Sequence, residues 1–261
     1  MAAEVLVTGA SGLIGSQVTR HWDLPDYDLV AVEHRENDLL APGVPSSLLE
    51  RHRPSVVIHL AWAASGRVDY RTSPDNERWL AASLELKEAC DRTGAWLIAT
   101  GTSLDEVNPA SDAYTSSKHR LRTLLNDHIT DLTMTWLRPY YVIDASWRRP
   151  ALVAEAIGAR DAGEAIVLRE PDSTHDFVVA ADVGRAIVEV VRWGLRGEVA
   201  IGSGCSRRVR DVVAALGTRW VAAEISSPTR ETPHNHEVAD VARLQRCGWS
   251  PESTTSFFDR S

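Results

Sequence analysis

The segment SDAYTSSKHRLRTLL, residues 111–125, contains a tyrosine and a lysine four positions apart. On a helix, Tyr114 and Lys118 would share one face, because residues four apart are neighbours on a helix surface. A free tyrosine has a pKa of about 10 and is a poor proton carrier at neutral pH. A nearby ammonium group favours the phenolate and lowers that pKa. The spacing therefore predicts Tyr114 as the acid/base at a carbonyl or alcohol oxygen, with Lys118 tuning its pKa.

Two hydroxyl groups follow a strand-like run in WLIATGTSLDE, residues 96–106. Ligands bind at the carboxyl edge of parallel sheets, so a hydroxyl placed there can hydrogen-bond the substrate oxygen that Tyr114 protonates. We predict Thr102 as this third catalytic residue and Ser103 as the alternative, and we assign Thr100, at the strand end, to the cofactor. Taken singly, each of these hydroxyl groups also suits a turn that caps a helix.

The N-terminal stretch VLVTGASGLIG, residues 5–15, has three glycines between a predicted strand and a helix predicted from Gly12 to about Trp22. Gly9 permits a tight turn, Gly12 lets a pyrophosphate approach the backbone, and Gly15 lets the helix pack closely on the strand. The free N–H groups of the helix N-terminus suit phosphate. A plain turn that needs one glycine is the alternative. We predict a dinucleotide site that includes Gly9, Ser11, Gly12, Leu13, Ile14 and Gly15.

The second predicted strand ends in LVAVE and places Glu33 eighteen positions after Gly15. In dinucleotide-binding folds, an acidic residue about 20 positions beyond the glycines binds the ribose hydroxyl groups and favours NAD. His34 and Arg35 follow directly, and an arginine there could attract the 2′-phosphate of NADP. A cluster of solvated surface charges is the alternative. The pattern predicts NAD or NADP as the cofactor, with NAD favoured.

Short β-branched runs alternate with longer helical patterns along the first half of the chain. The predicted strands are Val5–Thr8, Leu29–Glu33, Val56–Leu60, Trp96–Thr100 and a run near Met134–Leu137. Strand–helix alternation implies right-handed crossovers and a parallel sheet with helices on both faces. We therefore predict an α/β fold with a Rossmann-like, doubly wound parallel sheet.

The alternation loosens after Pro139. The segments AIVL, HDFVVAADVGRAIVEVVRWG, VAIGSG and RRVRDVVAALG predict short strands and helices outside the main sheet. We predict a dinucleotide-binding core over residues 1–140, to which residues of about 175–195 return. Residues 141–261 are predicted to form mainly a small C-terminal substrate-binding lobe.

The chain has 261 residues and a formal net charge of -8, which argues against a general nucleic-acid binder with a basic face. The longest apolar run, VVIHLAWAA, is too short to span a membrane. The N-terminus lacks a signal-like segment, and the three cysteines form no CxxC pair. We expect a cytoplasmic protein without membrane or nucleic-acid partners. His234 and His236 have no third ligand nearby, so no metal site is predicted.

Together these motifs resemble the extended short-chain dehydrogenase/reductase family, also called the NAD-dependent epimerase/dehydratase group, over nearly the whole chain. TGASGLIG matches the TGxxGxxG cofactor turn of that family, and AYTSSK matches its YxxxK helix. ATGTS is similar to the strand that carries the catalytic Ser or Thr and aligns Thr102 with it. HDFVVAADVGRAI and EVADVARLQRCGWSPEST resemble two C-terminal segments of the family.

The resemblance implies further contacts with the cofactor. ENDLL implies that Asp38 and Leu39 lie near the adenine. VVIHLAW implies that Leu60, Ala61 and Trp62 pass the cofactor ribose, and LRPYYVID implies that Pro139 and Tyr140 lie beside the nicotinamide. By the same resemblance, Lys118 holds the nicotinamide ribose and Tyr114 lies against the ring.

The resemblance also implies a nucleotide-activated sugar as the small-molecule substrate, and a homodimer joined through the helices after Pro74 and Ser111. This chain departs from the family pattern because His175 stands where an arginine often reaches the sugar nucleotide, and Trp62 replaces a small residue. The stretch between Thr102 and Tyr114 is also short. We therefore expect a reshaped pocket. Its predicted substrate contacts are Trp62, Ser103, Tyr141, Trp147 and His175.

These observations predict an NAD(P)-dependent oxidoreductase, with reduction of the 4-keto group of a nucleotide-activated deoxysugar as the first hypothesis. An epimerase with tightly bound NAD uses the same residues and is the second. A dehydratase is a weaker variant, since Asp105 and Glu106 lie near Thr102 but not directly after it. A binding protein that senses NAD(P) without catalysis is the alternative from another class, although such proteins tend to lose the tyrosine or the lysine.

Overall fold

The computed structural model describes residues 2–63, 69–107, 110–144, 152–223 and 238–259. The chain divides into two compact units, which we describe separately. The first unit comprises Met1–Pro139 and Gly184–Ala200, and the second comprises Tyr140–Val183 and Ile201–Ser261. The roles predicted for the two parts, cofactor binding and substrate binding, stay predictions.

The described residues form eleven strands. They are β1 (Ala3–Thr8), β2 (Tyr27–Val32), β3 (Val56–His59), β4 (Trp96–Thr100), β5 (Thr135–Pro139), β6 (Tyr141–Ile143), β7 (Ala165–Leu168), β8 (Thr174–Val179), β9 (Gly197–Ile201), β10 (Ser206–Arg208) and β11 (Arg219–Ala222). The helices are α1 (Leu13–His21), α2 (Val44–His52), α3 (Asp75–Thr93), α4 (Leu104–Val107), α5 (Ala113–Leu124), α6 (Asn126–Thr130), α7 (Leu152–Asp161), α8 (Ala180–Arg192), α9 (Val209–Ala215), α10 (Ala242–Gln245) and α11 (Glu252–Phe258).

The first unit is built on a six-stranded sheet in the order β2-β1-β3-β4-β5-β9. Neighbouring strands from β2 to β5 run parallel, with Val5 opposite both Leu29 and Val56 in the register. All four residues of β3 are buried, as expected for a parallel strand covered on both faces. The predicted α/β fold with a doubly wound parallel sheet is confirmed, and each of the five predicted strands is present with small changes at its ends.

One predicted strand was placed outside the main sheet and lies within it. The segment VAIGSG contributes to β9, which is the sixth strand and lies beside β5. The Gly197 N–H donates to the Met134 carbonyl oxygen at 2.7 Å, at the start of this pairing. The prediction was wrong because a five-residue strand does not reveal, from its own pattern, which distant edge supplies its hydrogen bonds.

Helix α3 packs one face of the first-unit sheet. Its buried positions include Leu80, Leu86 and Cys90, which join the hydrophobic core with Leu97 of β4. The helix ends at Gly94, whose φ of 74° is left-handed and whose N–H donates to the Cys90 carbonyl oxygen. This C-cap is the one that the sequence predicts, because glycine adopts that conformation without a steric penalty.

The second unit contains a three-stranded sheet, β10-β8-β6, and a two-stranded parallel pair, β11-β7. Phe177, Val212 and Val213 form the centre of its core. Asp176 is fully buried, and its carboxylate accepts hydrogen bonds from the Ser203 N–H and hydroxyl, both at 2.6 Å. No helix in the described part of the chain is both long enough and apolar enough to cross a membrane.

Candidate active site

The glycine turn joins β1 to α1 with almost no free space around it. Gly9 has a φ of +73°, and a Cβ there would lie 2.7 Å from the Ala61 nitrogen. A Cβ on Gly15 would lie 2.1 Å from the Gly9 carbonyl oxygen, although Gly15 is within a helix. Gly12 is the N-cap of α1 and has no side chain to satisfy the first-turn N–H groups. The turn therefore presents bare backbone at a helix N-terminus, as phosphate binding requires.

The segment after β3 runs directly against this turn. The Leu60 N–H donates to the Thr8 carbonyl oxygen at 3.1 Å, and the Ala61 N–H donates to the Thr8 hydroxyl at 3.3 Å. The Thr8 hydroxyl also pairs with His59 Nδ1 at 2.7 Å, and His59 Nε2 pairs with the Ser83 hydroxyl at 2.9 Å. Burial and the charge of Lys118 lower the pKa of His59 to about 3. His59 is thus a neutral core imidazole, as its position within a buried strand predicts.

The residues after β2 provide an open polar edge. Glu33, His34 and Arg35 are exposed, so their side chains are available to a ribose or a 2′-phosphate. Asp38 is also exposed, and its carboxylate accepts a hydrogen bond from the Leu40 N–H at 3.1 Å. Leu39 is buried in the core of the first unit. Their assignment to the cofactor stays a prediction.

Helix α5 carries both members of the predicted catalytic pair. The helix begins after Asp112, whose side chain caps it by accepting a hydrogen bond from the Thr115 N–H at 2.7 Å. Lys118 is 4% exposed, and its Nζ donates to the Thr100 carbonyl oxygen at 2.6 Å. Tyr114 is partly buried, one turn before Lys118. Lys118 therefore lies at the carboxyl end of β4, and Tyr114 is one turn away on the same helix, as the spacing of the two residues predicts.

Trp62 is in contact with both catalytic candidates. The Lys118 Nζ lies 3.7 Å from the centroid of the Trp62 ring. The Tyr114 ring packs edge-on against the Trp62 ring, with 6.1 Å between the two ring centroids. Tyr70 meets the Tyr114 ring edge-on from another side at 5.1 Å. Asn76 is buried, accepts a hydrogen bond from the Trp62 indole N–H at 2.9 Å, and donates to the Tyr70 carbonyl oxygen at 2.7 Å.

Tyr70 and Asn76 were not among the predicted site residues. Tyr70 lies in the segment that leads into α3 and Asn76 in the first turn of that helix, and nothing in their local sequence pattern indicates that they are part of the site. The only sequence signal was the tryptophan at position 62, where the family resemblance implies a small residue. A large side chain there needs neighbours that make room for it and hold it.

The electrostatics of the pair differ from the expected lowering of the tyrosine pKa. Burial raises the pKa of the Tyr114 phenol, and the nearby Tyr70 and Asp105 raise it further. Burial lowers the pKa of Lys118 to about 7, against an opposing effect of Asp105. In the resting protein the lysine thus loses its proton at a lower pH than the phenol does. At neutral pH the resting tyrosine is a neutral phenol.

Thr102 lies between β4 and α4, as expected for a residue at the carboxyl edge of the sheet. Its hydroxyl accepts a hydrogen bond from the Leu104 N–H at 3.3 Å. This contact at the start of α4 is the helix-capping turn that the sequence predicts as the alternative role of these hydroxyl groups. The Ser103 N–H donates to the Pro139 carbonyl oxygen at 3.1 Å and ties this loop to the end of β5. Asp105 is fully buried, and its carboxylate accepts a long hydrogen bond from the Thr102 N–H at 3.5 Å.

The predicted substrate contacts of the second unit are partly grouped. The Tyr141 ring lies 4.0 Å from the His175 ring and 5.5 Å from the Phe177 ring, measured between centroids. His175 is 7% exposed, and Tyr140 is buried with its N–H donated to the Ile201 carbonyl oxygen at 2.9 Å. Trp147 lies outside the described residues, as do His234 and His236. Within the described ranges, no group of three or more His, Cys, Asp or Glu side chains could hold a metal ion.

The residues of the first unit fit a dinucleotide. The close approach of Gly9 and Gly15 to neighbouring backbone leaves room for no side chain, and α1 has no acidic residue in its first turn to repel phosphate. The residues of this unit that could hold the cofactor are Gly9, Ser11, Gly12, Leu13, Ile14, Gly15, Glu33, His34, Arg35, Asp38, Leu39, Leu60, Ala61, Trp62, Thr100, Tyr114, Lys118 and Pro139. Tyr140 belongs to the second unit, and its contact with the cofactor stays a prediction.

Comparison with known proteins gives an independent result. The sequence profile of the NAD dependent epimerase/dehydratase family matches residues 5–202. The UDP-glucose 4-epimerase of Thermus thermophilus, solved with NAD, is similar with a TM-score of 0.74 and 22% identity, over 95% of this chain and 94% of that chain. The dTDP-4-dehydrorhamnose reductase of Bacillus anthracis, solved with NADP, has a TM-score of 0.78 and 16% identity, over 100% and 99% of the two chains.

A curated relative matches over a shorter stretch. GDP-L-colitose synthase of Yersinia pseudotuberculosis is 32% identical over 63 residues, which is 24% of this chain and 20% of that protein. The family profile covers more than half of the chain, and the structural similarities establish the fold.

Proposed function

Because this chain belongs to the NAD dependent epimerase/dehydratase family of NAD(P)-dependent enzymes, we propose that it reduces the 4-keto group of a nucleotide-activated deoxysugar. Tyr114 is the proton donor, Lys118 its electrostatic partner, and Thr102 the residue that orients the carbonyl group. The bound cofactor supplies a hydride from the nicotinamide to the carbonyl carbon.

The first unit offers groups for each part of the cofactor. The N–H groups at the start of α1 suit the pyrophosphate, because they carry partial positive charge and lack partners within the helix. The exposed carboxylate of Glu33 suits the ribose hydroxyl groups of NAD, while Arg35 suits a 2′-phosphate. We favour NAD on the strength of Glu33. Lys118 of α5, whose Nζ lies at the end of β4, is the group assigned to the nicotinamide ribose.

The proton follows a short route in this proposal. When the carbonyl carbon gains a hydride, its oxygen gains the proton of the Tyr114 hydroxyl, so that a carbonyl becomes an alcohol and a phenol becomes a phenolate. The Lys118 ammonium then stabilises the phenolate and returns a proton to it. With a pKa of about 7, Lys118 can both release and take up a proton near neutral pH. Thr102 keeps the carbonyl oxygen within reach of Tyr114.

The observation that carries this proposal is the place of the pair, because the Lys118 Nζ donates to the Thr100 carbonyl oxygen at the end of β4 and Tyr114 lies one turn before it on α5. A buried phenol with a raised pKa is protonated at neutral pH and is ready to donate a proton. Reduction of a carbonyl group begins with that form. An epimerase begins with oxidation of an alcohol, for which the phenolate is the active form. The protonated resting form of Tyr114 agrees with reduction as the first step.

The direct test measures NAD(P)H oxidation by the purified protein with a panel of nucleotide-linked 4-keto-6-deoxyhexoses. We expect turnover with at least one of them, and we expect Tyr114→Phe to lower kcat by about 100-fold or more, the usual contribution of a general acid. The matched control is Tyr27→Phe, since Tyr27 lies on β2, away from α5. Its kcat should equal that of the wild type.

Three results would overturn the proposal. The first is a Tyr114→Phe variant whose kcat remains within about tenfold of the wild type, because loss of a proton donor costs more than that. The second is conversion of a sugar nucleotide to its epimer without net use of NAD(P)H, which indicates the epimerase. The third is NAD(P)H binding with no turnover of any carbonyl compound, which indicates a binding protein.

The remaining parts of the proposal concern substrate and assembly. We infer that the substrate contacts are Trp62 and Ser103 in the first unit and Tyr141, Trp147 and His175 in the second. The homodimer stays a prediction, and its expected contact is formed by α3 and α5, which are the helices that follow Pro74 and Ser111. A cytoplasmic location also stays a prediction.

A further inference from the structure

Lysine is rare in this protein. Lys87 and Lys118 are the only lysines among the 28 basic residues, the others being arginines. Lys87 has a carboxylate partner, since its Nζ lies 2.5 and 2.6 Å from the two carboxylate oxygens of Asp91. Among the described residues, no carboxylate oxygen lies within ion-pair distance of the Lys118 Nζ. Its ammonium group instead donates to the Thr100 carbonyl oxygen and faces an aromatic ring.

The aromatic ring lies where a cation gains most from it. The Lys118 Nζ is 3.7 Å from the centroid of Trp62, and tryptophan is the aromatic residue that attracts cations most strongly. The attraction grows when both groups are shielded from water, and Lys118 is 4% exposed. The indole face thus replaces part of the hydration that the ammonium group loses on burial.

We propose that Trp62 is a positioning residue of the catalytic pair, whose indole face holds the Lys118 ammonium group at the end of β4 and keeps it charged beside Tyr114. The importance of this contact for catalysis rests on the proposed function. The contact itself does not, because it is a property of the two side chains.

The indole is fixed on its other sides. Its N–H donates to Asn76 Oδ1 at 2.9 Å, and Asn76 donates to the Tyr70 and Ser73 carbonyl oxygens at 2.7 and 3.0 Å. The Trp79 ring is stacked with it at 6.2 Å. A side chain held at its polar end and on its face cannot turn away from Lys118 without breaking these contacts.

The other ionisable groups near Lys118 act in different directions. Asp105 of α4 favours the charged amine and opposes the effect of burial, which lowers the pKa of Lys118 to about 7. His59 of β3 stays neutral beside it, with a pKa lowered to about 3. Tyr114 precedes Lys118 by one turn and is neutral at the same pH, because burial raises its pKa. Neither His59 nor Tyr114 therefore supplies a negative charge, so the Thr100 carbonyl oxygen, Trp62 and Asp105 are left to favour the ammonium form.

The scarcity of lysine makes a direct measurement practical. In protein labelled with ¹³C-lysine, the ε-methylene signals of Lys87 and Lys118 are the only two of their kind, and Lys87→Arg assigns them. We expect the proton signals of Lys118 to lie upfield of those of Lys87, because a ring current shields protons above an aromatic face. We expect its pH titration to lie near neutral pH.

Two substitutions at Trp62 separate the aromatic face from mere packing. Trp62→Leu keeps an apolar side chain but removes the ring, and it should lower the pKa of Lys118 by about 0.4–1.5 pH units. Trp62→Phe keeps a weaker ring and should lower it by less. Trp193→Leu is the matched control, because Trp193 is 58% exposed and hydrogen-bonds only to Glu189 among the described residues. That variant should leave the Lys118 titration unchanged.

The outcomes distinguish this inference from the proposed function. The inference is overturned if the wild-type Lys118 signals coincide with those of Lys87, a result that needs no variant to fold. It is also overturned if Trp62→Leu leaves the pKa of Lys118 unchanged or raises it. The proposed function expects kcat to fall at high pH, where Lys118 loses its proton. If the titration shifts as expected and this fall of kcat shifts with it, both proposals are supported. If the titration shifts and the kcat profile does not, the inference about the contact holds and the role of Lys118 in the proposed function fails.

Discussion

Gly15 provides the sharpest test of the glycine turn, because simple helix propensity and the tertiary structure predict opposite results. Alanine is a better helix former than glycine by about 1 kcal/mol, so Gly15→Ala should stabilise α1 if the helix stood alone. In the folded protein, the added Cβ would lie 2.1 Å from the Gly9 carbonyl oxygen and 2.7 Å from Ala10 Cα. Both are backbone atoms that no side-chain rotation can move away.

The size of the effect follows from these two contributions. Overpacking of a close contact costs about 1–3 kcal/mol, and contacts this short with backbone belong at the upper end. After the gain in propensity, we expect Gly15→Ala to lose about 1–2 kcal/mol of unfolding free energy. At about 2–4 °C per kcal/mol, Tm should fall by about 2–8 °C.

The same substitution should also abolish the effect of the cofactor. The clash displaces Gly9 and Ala10, which form the turn assigned to the pyrophosphate. Ligand at 100 times its Kd stabilises an intact site by about 2.7 kcal/mol, and this increment should disappear in Gly15→Ala. The assay is thermal unfolding with and without NAD, repeated with NADP.

The matched control is Gly158→Ala in α7. A Cβ there would meet no atom within 4 Å, so propensity alone decides, and the variant should gain about 0.5–1 kcal/mol. The reasoning is refuted if Gly15→Ala is as stable as the wild type and still gains the full increment from NAD or NADP. That result would mean that the turn does not need a bare backbone at this position.

Two further predictions concern buried polar groups. The pKa of His59 falls from 6.5 to about 3 on folding, so between these pH values the unfolded chain binds a proton that the folded chain does not. The contribution of His59 to the unfolding free energy should therefore be fully present above pH 6.5 and should decline as the pH drops towards 3. Urea unfolding at several pH values should show a smaller decline in His59→Gln. In the same assay, Asp176→Asn should lose about 2–3 kcal/mol of unfolding free energy, because the carboxylate accepts charge-assisted hydrogen bonds from Ser203 at 2.6 Å. Asp172→Asn is the control and should lose less than about 1 kcal/mol, because it breaks only an exposed ion pair with Arg210. Equal losses in the two aspartate variants, or an unchanged pH profile in His59→Gln, would contradict these assignments.

Much of the first unit was predictable because its signals are local. The glycine spacing of residues 9–15 predicts a strand–turn–helix, and the structure has β1 and α1 on either side of it. Gly94 predicts the end of α3 since a left-handed residue closes a helix at little cost. The interval between Tyr114 and Lys118 predicts a shared helix face, and a helix of ordinary length is enough to produce it.

The features that the sequence did not reveal all depend on contacts between distant segments. Strand β9 pairs with β5, which lies more than fifty residues earlier in the chain. Tyr70 and Asn76 reach the site because α3 packs beside α5, and neither carries a local sign of that.

The amino-acid sequence by itself determined the kind of chemistry, because cofactor turns and a Tyr–Lys pair are defined by residue type and spacing along one strand or helix. Tertiary structure alone decided the charge states of that pair. Burial sets the pKa of Tyr114 above its ordinary value and that of Lys118 near 7. The degree to which a side chain is buried depends on every segment that packs around it, and the spacing of residues along one helix does not reveal it.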